Sequence, residues 1–396
     1  MINYIKKLPE RQKNPETCCA SVKEGKKYIN PWPSATRREA SKEYGSLRIM
    51  KGYMKNYFSG KEKHEKLKVD VDLKAISNYH QDDKNIAMQL VWLGHAAFLL
   101  QINSFTVLID PFLSRRASPI KFAGPYRCKE RGFKSFSELP PIDFVIISHS
   151  HYDHLDKKTI KEIFAEQQNK NKTHIFCPLD LKKWFISIGI PENQVTECDW
   201  WDEYEITRID ETIDIHNIDA LNEALTSLSN RKLSINAVPS QHFSGRTGFD
   251  FNETLWVGWV IKSPEVSYFF AGDTGYRSLP DNCPEEEIEN YPACPVFRQI
   301  GNIYGPFDLA SIPISPALPP HMMSPVHSNP RDGVDIHIDC QSKHSIAMHW
   351  GTVLFNALNP IDSGPERLRE ELDKKNIPYE QFHDTYIGQV IKIEKK

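Results

Sequence analysis

The sequence predicts an α/β fold, and three observations support this. Short apolar runs recur from about residue 90 onward, and most are too short and too rich in β-branched or aromatic residues to be helices. Two segments with helical periodicity, Lys157–Gln168 and Leu179–Ile188, lie between such runs, and Gly189 can end the second. Several runs are followed directly by His or Asp. Strands that alternate with helices are typical of α/β proteins. The predicted strands are Leu90–Leu93, Ala97–Ile102, Phe105–Ile109, Phe144–Ser148, His174–Cys177, Ser234–Val238, Trp256–Ile261, Ser267–Ala271 and Ser345–Met348.

Length and composition predict a globular, soluble protein. The chain has 396 residues, of which 40% are hydrophobic, enough for one large domain or two ordinary ones. No run approaches the roughly 18 to 20 apolar residues of a membrane-spanning helix, and Met1–Ala20 lacks the apolar core of a signal peptide. We therefore expect a cytoplasmic protein that touches membranes only peripherally. The 8 cysteines show no C-x-x-C spacing, so we expect reduced, mostly buried thiols.

Charge is distributed unevenly along the chain. The net charge is −3, yet residues 1–70 contain 17 Lys and Arg against 8 Asp and Glu, so the remainder is acidic. This asymmetry suggests an anionic surface as a partner for the N-terminal part and argues against a nucleic-acid enzyme, whose catalytic body would carry the positive field. We predict a basic N-terminal extension over residues 1–85 and a catalytic domain over residues 86–396. The polar stretches 205–232 and 280–300 are predicted surface insertions.

One segment of the extension has the pattern of a membrane-surface helix. Within Leu47–Phe58, apolar residues recur three and four apart, and basic residues flank that stripe. Such a helix lies in the headgroup region and is attracted by anionic lipid. Gly52 weakens the helix, so we expect it to become ordered on binding.

The strongest chemical signal is a cluster of metal-ligand residues after a predicted strand. The run His149-Ser150-His151-Tyr152-Asp153-His154 places three histidines and an aspartate in one short loop. A loop that leaves a rigid strand can direct His149 and His151 to one point and Asp153 and His154 to a second. The alternative, a polar surface turn, gives this density of histidines no structural use. The loop therefore predicts two adjacent metal sites.

Three further residues are candidates to complete the metal sites. His242, Asp273 and His349 each follow a predicted strand, with a small or polar residue in between in the first two cases. Each is weak evidence alone, but together they repeat one pattern at one edge of a sheet. Asp273 is the candidate to bridge both metals, because a carboxylate has two oxygens and Gly272 leaves room for close approach.

These residues and several further blocks resemble a known family. The H-x-H-x-D-H loop, the later histidines and the Gly-Asp-Thr element are similar to the metallo-β-lactamase fold, and the match is closer to N-acyl-phosphatidylethanolamine-hydrolysing phospholipase D. The blocks run in family order from about residue 88 to 356, roughly two thirds of the chain. They include Asn30-Pro31-Trp32-Pro33, Trp92-Leu93-Gly94-His95-Ala96, Ile109-Asp110-Pro111, Asp199-Trp200-Trp201, Pro239-Ser240-Gln241-His242, Gly305-Pro306-Phe307-Asp308 and His349-Trp350-Gly351-Thr352.

The resemblance implies an αββα sandwich of two mixed β-sheets and a homodimer that contains two zinc ions per chain. Spacing and resemblance together assign one zinc to His149, His151 and His242, the other to Asp153, His154 and His349, with Asp273 between them. The implied reaction is hydrolysis of N-acyl-phosphatidylethanolamine to an N-acylethanolamine and phosphatidic acid. A phospholipid substrate at a membrane surface follows. Two alternatives remain: another hydrolase of this fold, such as a lactonase or a different phosphodiesterase, and a non-catalytic lipid-binding homologue.

Five residues outside the metal set also receive predicted roles. Asp110, which follows its own strand, is the candidate acceptor for a zinc-bound imidazole. His327 is predicted to be catalytic together with Asp153, because His327-Ser328-Asn329-Pro330 has the His-x-x-Pro spacing of a substrate-contacting histidine in the family; His321 competes for this role. His95 is interpreted as a core histidine rather than a metal-proximal group. Trp200 and Trp201 are interpreted as packing residues rather than lipid contacts.

Overall fold

Two β-sheets pack face to face in the computed structural model of the chain. The structure describes residues 2–11, 14, 16–36, 69–79, 85–120, 122–166, 168–169, 172–209, 216–219, 221–222, 232–280, 283–316, 323–354 and 363–395. The predicted helix Leu47–Phe58 and the candidate His321 lie outside these residues. None of the helices that are described is long and apolar enough to cross a membrane.

The elements follow one another in the order that the alternating pattern predicts. The strands are β1 (Ile2–Lys7), β2 (Val22–Glu24), β3 (Lys27–Ile29), β4 (Ile86–Gly94), β5 (Ala97–Ile102), β6 (Phe105–Ile109), β7 (Tyr126–Arg127), β8 (Phe144–Ile146), β9 (His174–Pro178), β10 (Val195–Cys198), β11 (Glu203–Ile209), β12 (Lys232–Val238), β13 (Gly258–Lys262), β14 (Ser267–Phe270), β15 (Leu309–Pro313), β16 (Ser345–Met348), β17 (Val353–Leu354), β18 (Phe382–His383) and β19 (Val390–Glu394). The helices are α1 (Leu73–Ser77), α2 (Lys157–Ala165), α3 (Lys182–Ser187), α4 (Val296–Tyr304), α5 (Pro330–Asp339) and α6 (Ser363–Lys374).

Both large sheets are mixed. The larger has the order β1-β11-β12-β13-β14-β15-β16-β18, and the smaller has the order β10-β9-β8-β6-β5-β4-β19. In the larger sheet β14, β15 and β16 are mutually parallel, and in the smaller sheet β6, β8 and β9 are parallel. Parallel neighbours end at the same edge of a sheet, so residues that follow these strands are brought together there.

Aromatic and aliphatic side chains fill the space between the sheets. Phe98 packs edge-on against Phe270 at 6.2 Å between ring centroids, and Phe176 contacts Trp259 at 6.5 Å. Helices cover the outer faces: α2 buries Ile160 against the smaller sheet, and Gly333 of α5 lies close to β15 of the larger. The predicted α/β class and the αββα sandwich are confirmed.

The N-terminal segment is not a simple extension, and this part of the prediction is wrong. Ile2–Lys7 is the edge strand of the larger sheet and pairs with β11 in antiparallel register. Further along, Trp32 is buried and stacks on Trp200 at 5.2 Å between ring centroids. This edge strand has only six residues and ends in the exposed Lys6 and Lys7, so it lacks the apolar alternation that indicates a strand with one face in the core.

The two predicted surface insertions are partly structural. The first, 205–232, begins inside β11, whose Ile206 and Ile209 are buried, so its strand part is not an insertion. The second, 280–300, contains an exposed acidic 3-10 helix at Glu285–Asn290, followed by the buried start of α4. Acidic residues on the solvated faces hid the apolar positions between them.

The two tandem tryptophans are packing residues, as predicted. Trp200 is fully buried, and its indole N–H donates to the Trp256 carbonyl over 2.8 Å. Trp201 is 2% exposed and stacks on Tyr304. None of the eight cysteines, all of them among the described residues, forms a disulfide, and six are buried.

Candidate metal centre

Four strand ends supply the side chains of the site. The loop after β8 carries four of them, and the segments after β12, β14 and β16 carry His242, Asp273 and His349. Because β8 belongs to the smaller sheet and the others to the larger, the site lies where the same edge of both sheets meets. All seven predicted metal ligands come together there.

Asp110 holds the start of the ligand loop. Its Oδ1 accepts from the Ser148 backbone N–H over 2.7 Å, and its Oδ2 accepts from the Ser148 hydroxyl. The same Oδ2 lies 2.7 Å from His154 Nδ1. That contact directs His154 Nε2 into the cluster, as predicted for the acceptor of a metal-binding imidazole. Ser148 Oγ also lies 2.9 Å from His149 Nδ1.

The first cluster contains His149, His151 and His242. His149 Nε2 lies 2.7 Å from His151 Nδ1, and His242 Nε2 lies 3.3 Å from that same atom. The other nitrogen of His242, Nδ1, donates to the Val326 carbonyl over 2.7 Å. This hydrogen bond fixes the tautomer and leaves the Nε2 lone pair free to bind a metal.

The second cluster contains Asp153, His154 and His349. Asp153 Oδ2 lies 3.5 Å from His154 Nε2 and 3.6 Å from His349 Nε2. A fourth residue joins them, because His95 Nε2 lies 2.8 Å from the same carboxylate oxygen.

Asp273 lies between the clusters, in the place that its predicted bridging role requires. Its Oδ2 is 3.1 Å from His349 Nε2 and 3.2 Å from His154 Nε2, and it is 3.7 Å from His242 Nε2. The preceding Gly272 has φ +64°, and a Cβ there would come within 2.9 Å of the Val257 carbonyl. Gly272 thus allows the close approach of backbone beside Asp273 that a larger residue would prevent.

Burial and mutual attraction set the charges in the site. Burial by itself would raise the pKa of the Asp273 and Asp153 carboxyls. The attraction of neighbouring histidines, above all His154, has the larger effect and holds both pKa values well below the usual range. Burial lowers the pKa of His151 to about 4, and it lowers that of His242 well below 6.5. Burial opposes protonation of His349 and His154 too, but the Asp273 carboxylate, above all, raises the pKa of His349 to about 9 and that of His154 well above its ordinary value. The first cluster thus contains neutral imidazoles, the form that binds metal ions, whereas His154 and His349 would release a proton on binding one.

The donor set fits a pair of metal ions. Imidazole nitrogens and carboxylate oxygens in this number suit zinc and similar divalent ions. Two buried donor atoms, His154 Nε2 and Asp273 Oδ1, have no hydrogen-bond partner among the described residues. Buried polar atoms without partners are costly, and a bound cation would satisfy both.

His327 lies at the entrance of this cluster. Its Nδ1 is 3.8 Å from Asp273 Oδ2, and its ring centroid is 5.0 Å from that of His242. The backbone N–H of His327 donates to the Met323 carbonyl, and the next residue, Ser328, donates its hydroxyl to the Pro313 carbonyl. Burial lowers the pKa of His327 to about 4. The position suits a substrate contact.

His95 is not a core histidine, and that interpretation is wrong. It is buried at 1% exposure, but its ring lies beside Asp153 and 4.0 Å from the His349 ring centroid. The sequence offered a usable signal, because His95 follows Gly94 at the end of a strand just as Asp273 follows Gly272. Unlike the histidines of the ligand loop, His95 has no other candidate ligand beside it in the sequence, so the pattern favours a core histidine.

Sequence reasoning also missed the contribution of the N-terminal segment to the site. The Asn30 amide donates to the His242 carbonyl over 2.8 Å. The Ser34 hydroxyl donates to Gln241 Oε1 over 2.6 Å. These contacts hold the segment that carries His242, so the Asn-Pro-Trp-Pro element supports the first cluster from behind.

The chain is similar to several known proteins. Residues 106–350 match the beta-lactamase superfamily domain. The N-acyl-phosphatidylethanolamine-hydrolyzing phospholipase D 1 of Caenorhabditis elegans is 33% identical over 298 residues, 74% of this chain and 71% of the relative. A metal-dependent hydrolase of Methanopyrus kandleri is 26% identical over 74% of this chain and 95% of its own length. Among solved structures, an isothiocyanate hydrolase from Delia radicum gut bacteria has a TM-score of 0.49 with 15% identity, covering 77% of this chain and 99% of its own.

The superfamily match spans well over half of the chain, including every predicted metal ligand. With the clustered His and Asp side chains, it makes the protein a metal-dependent hydrolase of the metallo-β-lactamase fold. The chain therefore belongs to the N-acyl-phosphatidylethanolamine-hydrolysing phospholipase D-like family of the β-lactamase superfamily.

Proposed function

We propose that the protein is a zinc-dependent phosphodiesterase that hydrolyses N-acyl-phosphatidylethanolamine to an N-acylethanolamine and phosphatidic acid. The observation that carries this proposal is the position of Asp273 Oδ2, within 3.1 to 3.9 Å of imidazole nitrogens from both clusters. A carboxylate in that place can bind two ions at once. The substrate is supported by the names of relatives in Caenorhabditis elegans and Saccharomyces cerevisiae.

The chain's own residues would position the reactants. When bound, two zinc ions supply Lewis-acid stabilisation of the phosphoryl charge and lower the pKa of an attacking water. Asp153 keeps an ionised oxygen at the second cluster, where it can accept a hydrogen bond from that water. His327, whose Nδ1 lies 3.8 Å from Asp273 Oδ2, can as a neutral imidazole donate a hydrogen bond to a phosphoryl oxygen or relay the proton that the attacking water loses to the departing ethanolamide oxygen.

The bond changes are those of a phospholipase D. The water oxygen forms a bond to phosphorus, and the bond from phosphorus to the ethanolamide oxygen breaks. Phosphatidic acid retains the phosphate, and the departing oxygen gains a proton. Because the water attacks phosphorus directly, the reaction needs neither a nucleophilic side chain nor a covalent intermediate.

The second candidate is a different hydrolase of this fold, such as a lactonase. It is favoured by the hydrolase of Methanopyrus kandleri, because the match covers 95% of that protein. Such an enzyme would retain all seven ligands and differ at the entrance, so only substrate assays separate the two.

The deciding experiment measures products and metal together. Purified protein should release N-acylethanolamine and phosphatidate from N-acyl-phosphatidylethanolamine in mixed micelles, and elemental analysis should find two zinc ions per chain. A chelator should abolish release, and added zinc should restore it. Phosphatidylcholine and an acyl-homoserine lactone are the control substrates. Lactone opening without phosphatidate release would support the second candidate, and tight lipid binding without turnover would indicate a non-catalytic homologue.

A further inference from the structure

A loop beside the metal centre exposes two phenylalanines to solvent. In residues 245–251, the phenylalanine loop, Phe249 is 93% exposed and Phe251 is 50% exposed. Single exposed apolar residues are ordinary, but two large rings on one short turn form a contact surface.

Hydrogen bonds hold the phenylalanine loop as a turn in which Phe249 is exposed. The Asp250 carboxylate accepts hydrogen bonds from the backbone N–H groups of Arg246 and Thr247, over 3.0 and 2.8 Å. Arg246 then anchors the turn, because its guanidinium donates to the Ser150 and Leu155 carbonyls over 2.6 and 2.8 Å. Both acceptors lie in or next to the metal-ligand loop. The exposed position of Phe249 is therefore fixed relative to the metal centre.

A row of aromatic rings leads from the loop to the metal centre. Phe251 lies 5.7 Å from Phe243 between ring centroids, and Phe243 lies 4.4 Å from His151. His151 is the partly exposed member of the first cluster. Whatever covers the phenylalanine loop therefore lies next to the entrance of the site.

Cations accompany the exposed rings. Lys27 Nζ lies 5.9 Å from the centre of the Phe251 ring, and the neighbouring Lys26 is exposed on the same turn between β2 and β3. The backbone of Tyr28 ties β3 to the loop through a 2.8 Å hydrogen bond to the Asn252 carbonyl. Exposed aromatic rings with lysines beside them are the arrangement by which peripheral proteins contact bilayers that contain anionic lipid.

We propose that Phe249 and Phe251 insert into the headgroup region of a phospholipid bilayer, with Lys26 and Lys27 against anionic headgroups. The proposal rests on the proposed function, because it explains how a substrate held in a membrane reaches the entrance beside His151. It assigns membrane contact to a described loop of the catalytic domain, independently of the predicted N-terminal helix.

The test compares Phe249→Ser with Ile218→Ser. Ile218 is 73% exposed, and it lies in the connection between the end of β11 and the start of β12, whereas His242 follows the other end of β12. The control thus removes an exposed apolar side chain at the edge opposite the site. Binding is measured by sedimentation with vesicles of phosphatidylcholine and a minor fraction of phosphatidylglycerol. Losing the insertion of one phenylalanine should weaken binding roughly tenfold or more, and Ile218→Ser should bind as the unchanged protein does.

Steady-state kinetics distinguish a defect in membrane binding from a defect in catalysis. With N-acyl-phosphatidylethanolamine in the same vesicles, Phe249→Ser should raise KM and leave kcat within about twofold, since the loop does not touch the reacting atoms. Lys27→Gln should weaken binding to vesicles with phosphatidylglycerol and leave binding to pure phosphatidylcholine unchanged. Equal vesicle binding by Phe249→Ser and the unchanged protein would overturn the proposal. If the unchanged protein binds vesicles through Phe249 but hydrolyses no phospholipid, the proposed function fails while the membrane contact stands.

Discussion

The two ligand clusters differ in how the chain assembles them. Each takes two of its three ligands from the loop after β8, and the third ligand of the first cluster, His242, is held by the Val326 carbonyl and by the Asn30 amide. The second depends on two further segments that interlock: the His349 N–H donates to the His95 carbonyl, and the His95 N–H donates to Thr352 Oγ1, 257 residues away in sequence. One further strand end thus completes the first cluster, whereas two segments that depend on each other complete and support the second.

The two histidines joined by these hydrogen bonds have backbone conformations that favour glycine. His95 has φ +57° and His349 has φ +64°, and neither residue is glycine. Such conformations cost free energy and persist where the surroundings impose them. The second cluster is therefore the more strained of the two, and the following variants probe that difference.

Asp273→Asn should have the largest effect, because Asp273 is the residue that both clusters share. The amide removes the ionised oxygen between them, and we expect the hydrolysis rate to fall by at least roughly 10³-fold, since metal stabilisation is worth several kcal/mol. Metal content per chain, measured by elemental analysis, should fall as well. Asp373→Asn, an exposed residue of α6, is the matched control. Full activity with full metal content in Asp273→Asn would refute the bridging role.

His327→Ala should lower kcat by roughly 10² to 10⁴, the contribution of proton transfer, and leave metal content unchanged. The reason is geometric: His327 faces Asp273 from the entrance loop, and the first cluster already has its three imidazoles. His344→Ala removes an exposed histidine elsewhere and serves as the control. If metal is lost together with activity, His327 is a ligand rather than a catalytic residue.

The sequence predicted the ligands better than it predicted their support. His149, His151, Asp153 and His154 are adjacent in sequence and follow a buried strand, so density alone indicates them. His242, Asp273 and His349 follow from strand ends, because parallel strands finish at one edge. Asp110 was also predicted, since it too ends a strand, β6.

The missed features depend on contacts between distant segments. The role of His95 becomes visible only when its loop meets the one after β16, and β1 becomes recognisable only when it pairs with β11. Apolar periodicity reports burial against a core, so it does not detect an edge strand whose stability comes from backbone hydrogen bonds to its neighbour. β11 is an inner strand with buried Ile206 and Ile209, and the acidic residues on its solvated face are what made that stretch resemble a surface insertion.

Asp110→Asn should weaken both clusters to a similar extent. Asp110 contacts His154 directly and reaches His149 through the Ser148 hydroxyl. Loss of such outer partners typically costs 10- to 100-fold in metal affinity. Competition with a chelator should show both ions released at lower chelator concentration, and circular dichroism should show that the fold is retained. Unchanged affinity for both ions would mean that the orientation of His154 does not depend on this carboxylate.

His95→Asn should have the smallest effect and should separate the clusters. His95 Nε2 lies 2.8 Å from Asp153 Oδ2, and its ring packs on His349, so both of these partners belong to the second cluster. We expect affinity for one of the two ions to fall by about tenfold, the lower end of the range for outer partners, while the other ion stays bound. At limiting metal the variant should therefore contain one ion per chain. His174→Asn is the control. His174 is a half-buried histidine that belongs to neither cluster, and its Nε2 lies 2.8 Å from Thr196 Oγ1. Equal loss of both ions in His95→Asn would show that the two clusters bind metal as one unit, and the difference in how the chain assembles them would then have no functional meaning.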